Sequence, residues 1–180
     1  MQLRWSHAVV VVRDMEKMLD FYTKVLGFEI TDRGPLPGSD KAEIVFLSQV
    51  PTEHHQIAFR SGERDESPPN SVDHFAFRVD SLDDVKRMDE KLAASGLAEE
   101  RLPLTHGNAW SIYFADPEGN GLEIFCDTPW HVQQPQAQLW SVDKTNDEIL
   151  METRSAFEKD PAFSPINDFY RARAEKMKDN

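Results

Sequence analysis

Two histidines, His7 and His74, and one carboxylate, Glu123, are the residues of this chain best suited to chemistry. Two neutral imidazoles and a carboxylate can hold a divalent ion, leave it a net positive charge and keep coordination positions open, the ligand set typical of non-haem Fe(II) oxygenases. A single strand histidine is more often a core residue satisfied by backbone partners. Here, however, His7 and His74 stand 67 residues apart, as do Asp14 and Ser81, the polar residues that open two amphipathic stretches. The histidines therefore occupy one position in two copies of a unit. Glu123 lies among Leu122, Ile124 and Phe125, an apolar setting uncommon for a surface glutamate. Five further residues carry useful groups: His54, His55, His106, Asn108 and Tyr113. Each also has a plain structural reading, the first two as loop residues, His106 and Asn108 as shapers of a turn around Gly107, and Tyr113 as an ordinary strand aromatic.

Positioning these groups falls to a repeated pattern. Residues 5–12 are rich in β-branched side chains. Asp14 then caps a helix with Met15, Met18, Leu19, Tyr22, Val25 and Leu26 on one face, ended by Gly27. Extended runs follow at residues 28–31, 43–47 and 56–59, separated by Pro- and Gly-bearing loops such as residues 33–40. After a polar connector at residues 61–70 the order recurs, with a strand at 72–79, a helix from Ser81 through Leu82, Val85, Met88 and Leu92 to Gly96, and further strands. Alternation sets Ala8, Val10 and Val12 against His7, and Phe75, Phe77 and Val79 against His74. It likewise sets Ile112 and Phe114 against Tyr113, and Leu122, Ile124 and Cys126 against Glu123.

The expected fold is α+β: two tandem βαβββ units forming a cupped mixed sheet around a metal site, with a C-terminal helical tail. The units, about 1–62 and 70–127, make one paired domain over residues 1–127, and residues 128–180 form the tail, with a helix near 146–159. Residues 116–121 read as a hairpin turn in which Asn120 and Gly121 favour positive φ. The offset grows to 69 at Gly27 and Gly96. Carried on at 67, it pairs Glu123 with Gln56 and turns His55 away from the metal-facing side, unless a bulge or a gap intervenes.

With 39% hydrophobic residues among 180, the chain can build a packed core. Its 32 acidic and 20 basic residues, a net charge of −12, repel nucleic acid and anionic membranes, so neither is expected as a partner. The longest apolar run, residues 8–12, is too short to span a bilayer, and residues 1–14 lack the pattern of a signal peptide. Cys126 is the one cysteine and forms no internal disulfide, which fits a reducing, cytoplasmic setting.

His106-Gly-Asn108, Ile112-Tyr113 and Asp116-Pro-Glu-Gly119 followed by Glu123 resemble the signature around the carboxylate ligand of the type I extradiol ring-cleavage dioxygenases of the vicinal oxygen chelate superfamily. His54-His55-Gln-Ile-Ala58 is similar to the family segment that carries an acid/base histidine. The resemblance covers residues 5–127, and the tail is similar to that of small, single-pair members related to the 2,3-dihydroxybiphenyl dioxygenases. Two departures are the single pair of units, where many relatives have two, and Leu104, where a small or β-branched residue is usual. The resemblance implies a metal held by His7, His74 and Glu123, Fe(II) or alternatively Mn(II). It implies a catecholic small-molecule substrate cleaved with dioxygen to a hydroxymuconic semialdehyde type product. It assigns His55 as acid/base with His54 as the alternative, His106 and Tyr113 as hydrogen-bond donors to substrate, and Asn108 as their support. A homo-oligomer is compatible with it. Two rivals are a metal-dependent isomerase, epimerase or lyase resembling glyoxalase I, with Gln56 as a fourth ligand, and a metal-free binding module resembling bleomycin-resistance proteins.

Overall fold

The computed structural model describes residues 5–35, 42–63, 72–98 and 100–177. Residues 36–40 of the expected loop and 64–70 of the expected connector lie outside them. The fold is α+β and divides into two units, one of Met1–Asp73 with Asp116–Asn120 and one of His74–Ala115 with Gly121–Asn180.

In the first unit, β1 (Ala8–Val12), β2 (Glu29–Pro35), β3 (Glu43–Ser48) and β4 (Ile57–Ser61) form a sheet in the order β1-β4-β3-β2, with β1 parallel to β4 and the other pairs antiparallel. Helix α1 (Met15–Asp20) begins where the Asp14 carboxylate accepts the Lys17 N–H at 3.0 Å, and it widens into a π-helical turn, Phe21–Val25. Gly27, with φ of 85°, ends it. Val10 and Val12 are buried while Val9 between them is 50% exposed, so the strand alternates as expected and turns its valines into a core with Met18, Phe21, Tyr22 and Phe59. The buried Tyr22 hydroxyl donates to Asp116 Oδ2 at 3.3 Å, and burial first, then the Asp116 charge, pushes its pKa up.

Residues 116–120 are tightly bonded. Asp116 Oδ1 accepts from the N–H groups of Glu118 and Asn120, and Glu118 Oε1 accepts from those of Arg13 and Asp14 at 2.8 and 2.7 Å. Positive φ falls on Gly119 (80°) and, among the described residues, on no residue other than glycine. The expectation for Asn120 and Gly121 is corrected accordingly: Gly119 takes the left-handed position at no steric cost, and Asn120 instead donates to Asp116 Oδ2 at 2.7 Å.

The second unit repeats the plan. Strands β5 (His74–Arg78), β6 (Arg101–Thr105), β7 (Ala109–Ala115) and β8 (Gly121–Asp127) pair in the order β6-β7-β8-β5, with β5 parallel to β8. Helix α2 (Leu82–Ser95) is capped by Ser81, whose Oγ accepts the Asp84 N–H, and ends at Gly96, with φ of 65°. Residues after 128 build on this sheet. β9 (Trp130–His131) pairs with β11 (Ser164–Pro165), and β10 (Gln138–Leu139) extends the sheet alongside β6. Helix α3 (Asn146–Phe157) starts in a Thr145–Glu148 capping box and receives the Trp110 indole N–H on Thr153 Oγ1 at 2.8 Å. Helix α4 (Ile166–Lys176) follows, where the sequence reads only as a charged end. His131 stacks on Phe169 at 3.7 Å, a structural place for it. No helix among the described residues is long and apolar enough to cross a membrane.

Cys126 is buried in β8, and desolvation, then Asp127 and Asp84, pushes its thiol pKa up to about 12. Since the thiolate is the nucleophile, the folded protein is expected to resist alkylation by iodoacetamide near neutral pH and to take up one equivalent only in denaturant. Rapid labelling of the native chain would contradict this burial.

Candidate metal centre

In the second unit His74 opens β5 and Glu123 lies mid-strand in β8, where it pairs with Ala76 and Tyr113. Side chains two apart on a strand share a face, so His74 and Glu123 meet on one side of the sheet, with Nε2 and Oε2 3.3 Å apart. With metal–ligand bonds of about 2.1 Å and angles of roughly 90–109°, neighbouring ligands on one ion lie about 3.0–3.4 Å apart. The His74–Glu123 separation falls in that interval, so this pair fits a shared divalent ion. Glu123 is only 7% exposed, which supports partnership with a cation over a surface role.

The Tyr113 ring stands edge-on to His74 at 5.3 Å, and the Tyr113 hydroxyl lies 3.0 Å from His106 Nε2. His106 Nδ1 lies 2.5 Å from the Gln136 carbonyl. A carbonyl only accepts, so Nδ1 carries the proton, and in neutral His106 Nε2 accepts the Tyr113 O–H. Asn108 Oδ1 accepts from Gln134 Nε2 at 3.3 Å, and its carbonyl accepts the Thr128 N–H at 3.0 Å.

In the first unit His7 immediately precedes β1. Its Nδ1 lies 3.0 Å from Ser6 Oγ, and its ring packs 4.2 Å from that of His55. His55 Nδ1 is 2.9 Å from His54 Nδ1, and both rings stand edge-on to Phe46. Burial first, then the neighbouring His7 and His54, pulls the His55 pKa below the usual histidine range. His54 points its Nε2 towards Asp32 Oδ2 at 3.8 Å and is more than half exposed. The residue beside His7 is thus His55. Each unit gathers its own set, His7 with His55 in one and His74 with Glu123, Tyr113 and His106 in the other. Among the described residues, no three His, Cys, Asp or Glu side chains are already grouped to hold an ion.

The ladders also correct the correspondence between the units, and they leave His55 ahead of β4, where strand alternation does not apply. Ala8 pairs with Ile57 and Phe75 with Leu122, so the first residues of each pair stand 67 apart and their partners 65. Ala58, not Gln56, therefore occupies the place of Glu123, and the expected pairing of Glu123 with Gln56 is corrected. The cause is the β3–β4 connection, which between the ladder pair Leu47–Ile57 is two residues longer than the β7–β8 turn between the equivalent pair Phe114–Leu122, and which carries His54 and His55 ahead of the strand. Gln56 uses its side-chain oxygen to accept the Gln49 N–H at 2.9 Å. Sequence reasoning missed Gln134, Gln136, Phe46 and Asp32, for which no motif or period gives a signal.

A sequence profile described as Glyoxalase/Bleomycin resistance protein/Dioxygenase superfamily matches residues 4–124, a span that contains His7, His74 and Glu123. A biphenyl-2,3-diol 1,2-dioxygenase of Metapseudomonas furukawaii is 30% identical over 157 residues, 83% of this chain and 50% of that protein. The chain thus spans about half the length of this relative. A probable trivalent organoarsenical cleaving enzyme of Bacillus subtilis (strain 168) is 31% identical over 126 residues, 68% of this chain and 80% of that protein. Among solved structures, a glyoxylase/bleomycin resistance protein/dioxygenase domain from Frankia sp. EAN1pec superposes with a TM-score of 0.61 at 24% identity, covering 73% of this chain and 96% of that one.

Proposed function

Because the chain belongs to the Glyoxalase/Bleomycin resistance protein/Dioxygenase superfamily, we propose that it is a metal-dependent extradiol dioxygenase that opens a catechol or aryl-substituted catechol with dioxygen. His7, His74 and Glu123 would hold the ion. A bound Fe(II), with Mn(II) as the alternative, supplies positive charge and open positions to a catecholate and to dioxygen. Both oxygen atoms enter the product, a ring-opened hydroxymuconic semialdehyde type compound.

The chain's own residues handle the protons. His55 is held towards its neutral form by burial and by two neighbouring imidazoles, which suits a base that takes a catechol hydroxyl proton and later returns one as acid. Tyr113, opposite Glu123 in the ladder, gives its one hydroxyl hydrogen to His106 Nε2, so towards a substrate its oxygen would accept from a catechol hydroxyl, in place of the donor role expected for Tyr113 and His106. Asn108 keeps the turn that carries His106 in place through its bonds to Thr128 and Gln134.

The observation that carries this reading is Ala58 at the register position of Glu123. A four-ligand isomerase resembling glyoxalase I would want a donor there, and alanine has none. Gln56, the other candidate, is bonded to Gln49. The arsenical-cleaving relative suggests a second substrate, yet trivalent arsenic is thiophilic, and the one cysteine of the chain is buried with a raised pKa. The test is to load the protein anaerobically with Fe(II), mix it with catechol or an aryl-substituted catechol, and admit oxygen. A yellow ring-opened product is expected. An iron-loaded protein that yields no colour with either substrate overturns the proposal.

A further inference from the structure

We propose that Gln134, in the segment between β9 and β10 and beyond the residues matched by the family profile, is a positioning residue that sets the tautomer of His106 and with it the direction of the Tyr113 hydrogen bond. Its single side-chain amide ties together both stretches of chain around that imidazole. Nε2 donates to the His106 carbonyl at 2.7 Å and to Asn108 Oδ1 at 3.3 Å, while Oε1 accepts the Gln136 N–H at 3.0 Å. The Gln136 N–H lies in the peptide just before the one whose carbonyl receives His106 Nδ1–H, so pinning it holds the residue that presents that carbonyl. The partner of one ring nitrogen decides which nitrogen bears the proton, so the Gln136 carbonyl leaves Nε2 as the acceptor for Tyr113 O–H. Release of this strap lets the proton move to Nε2. His106 then donates to Tyr113, and the Tyr113 hydroxyl hydrogen turns to another acceptor. The polarity of the chain from Gln136 through His106 to Tyr113 is thus set by an amide whose own hydrogen bonds go to His106, Asn108, Val132 and Gln136.

The kinetic consequence rests on the dioxygenase reading; the tautomer does not. The 15N spectrum of the imidazoles in the 180-residue chain, with the His106 signal assigned by its loss in His106→Asn, should show a pure Nδ1–H form. Gln134→Leu, close in size and unable to hydrogen-bond, should give a mixture or the Nε2–H form, and kcat for a catechol should fall about tenfold or more with a smaller change in KM. A Gln134→Leu protein that keeps the pure Nδ1–H signal, or a wild type that shows Nε2–H, overturns the inference. A shifted tautomer with no catechol turnover even in the wild type leaves the inference standing and sinks the dioxygenase reading alone. If Gln134→Leu does not fold, Gln134→Glu, which keeps the acceptor for Gln136 N–H and loses the donor to the His106 carbonyl, is judged by the same spectrum.

Discussion

Replacing His55 with glutamine is expected to cut turnover of a catechol by roughly 10²–10⁴-fold while the protein still binds one equivalent of iron, the range by which a positioned acid/base group accelerates a reaction. Glutamine keeps a hydrogen-bonding side chain of similar reach and removes the group that changes protonation. His55 contacts His7 ring to ring, so iron content measured on the same sample separates loss of the proton carrier from loss of the ion. His54→Gln serves as the control. It bonds to His55 at Nδ1 but stands more than half exposed, and its loss should cost far less. Unchanged turnover in His55→Gln with collapse in His54→Gln would hand the proton role to the neighbour.

The second large effect is on stability. Gly107→Ala is expected to destabilise the fold by roughly 2–5 kcal/mol, the combined cost of a left-handed alanine and an overpacked core. Gly107 has φ of +77°, and a Cβ there would come within 2.5 Å of Val132 Cγ2 and 3.1 Å of Phe157 Cγ. Val132 is fully buried and Phe157 nearly so, so neither neighbour has room to retreat. For a chain of this size the melting temperature should drop by about 4–20 °C. Gly34→Ala, where a Cβ meets nothing within 4 Å, should leave it unmoved. Equal melting curves for the two variants would show that residues 132 and 157 yield more easily than their burial implies.

What could be read from the sequence divides along physical lines. The strands and helices were legible because burial imposes a period, two for Val10 and Val12 against Val9, and about four for Met15, Met18, Leu19 and Tyr22. Their ends were legible where a cap carries its own chemistry, as at Asp14, Ser81, Gly27 and Gly96. His7 and His74 followed from the repeat. The place of His55 did not, because the connection that carries it has no period to count by, and two extra residues there leave no trace until the strands on either side are paired. The strap around His106 was hidden for another reason. Gln134 and Gln136 lie about thirty residues from the turn they hold, in a stretch whose composition suggests only a loop. Helix α4 went unread because its residues are mostly exposed and no apolar stripe marks it.

The unequal lengths of the β3–β4 connection and the β7–β8 turn reach beyond the register question. Slipping a strand by one residue would invert every side chain on it, whereas lengthening a connection costs only a little closure entropy. The two connections can therefore differ without disturbing the strands they join. One connection carries a pair of imidazoles and the other is a buried acidic turn, while β1, β4, β5 and β8 have corresponding registers. The same tolerance is open to an engineer. Residues 49–56 are the place to vary loop length and composition when the aim is altered reactivity with His7, His74 and Glu123 left as they stand.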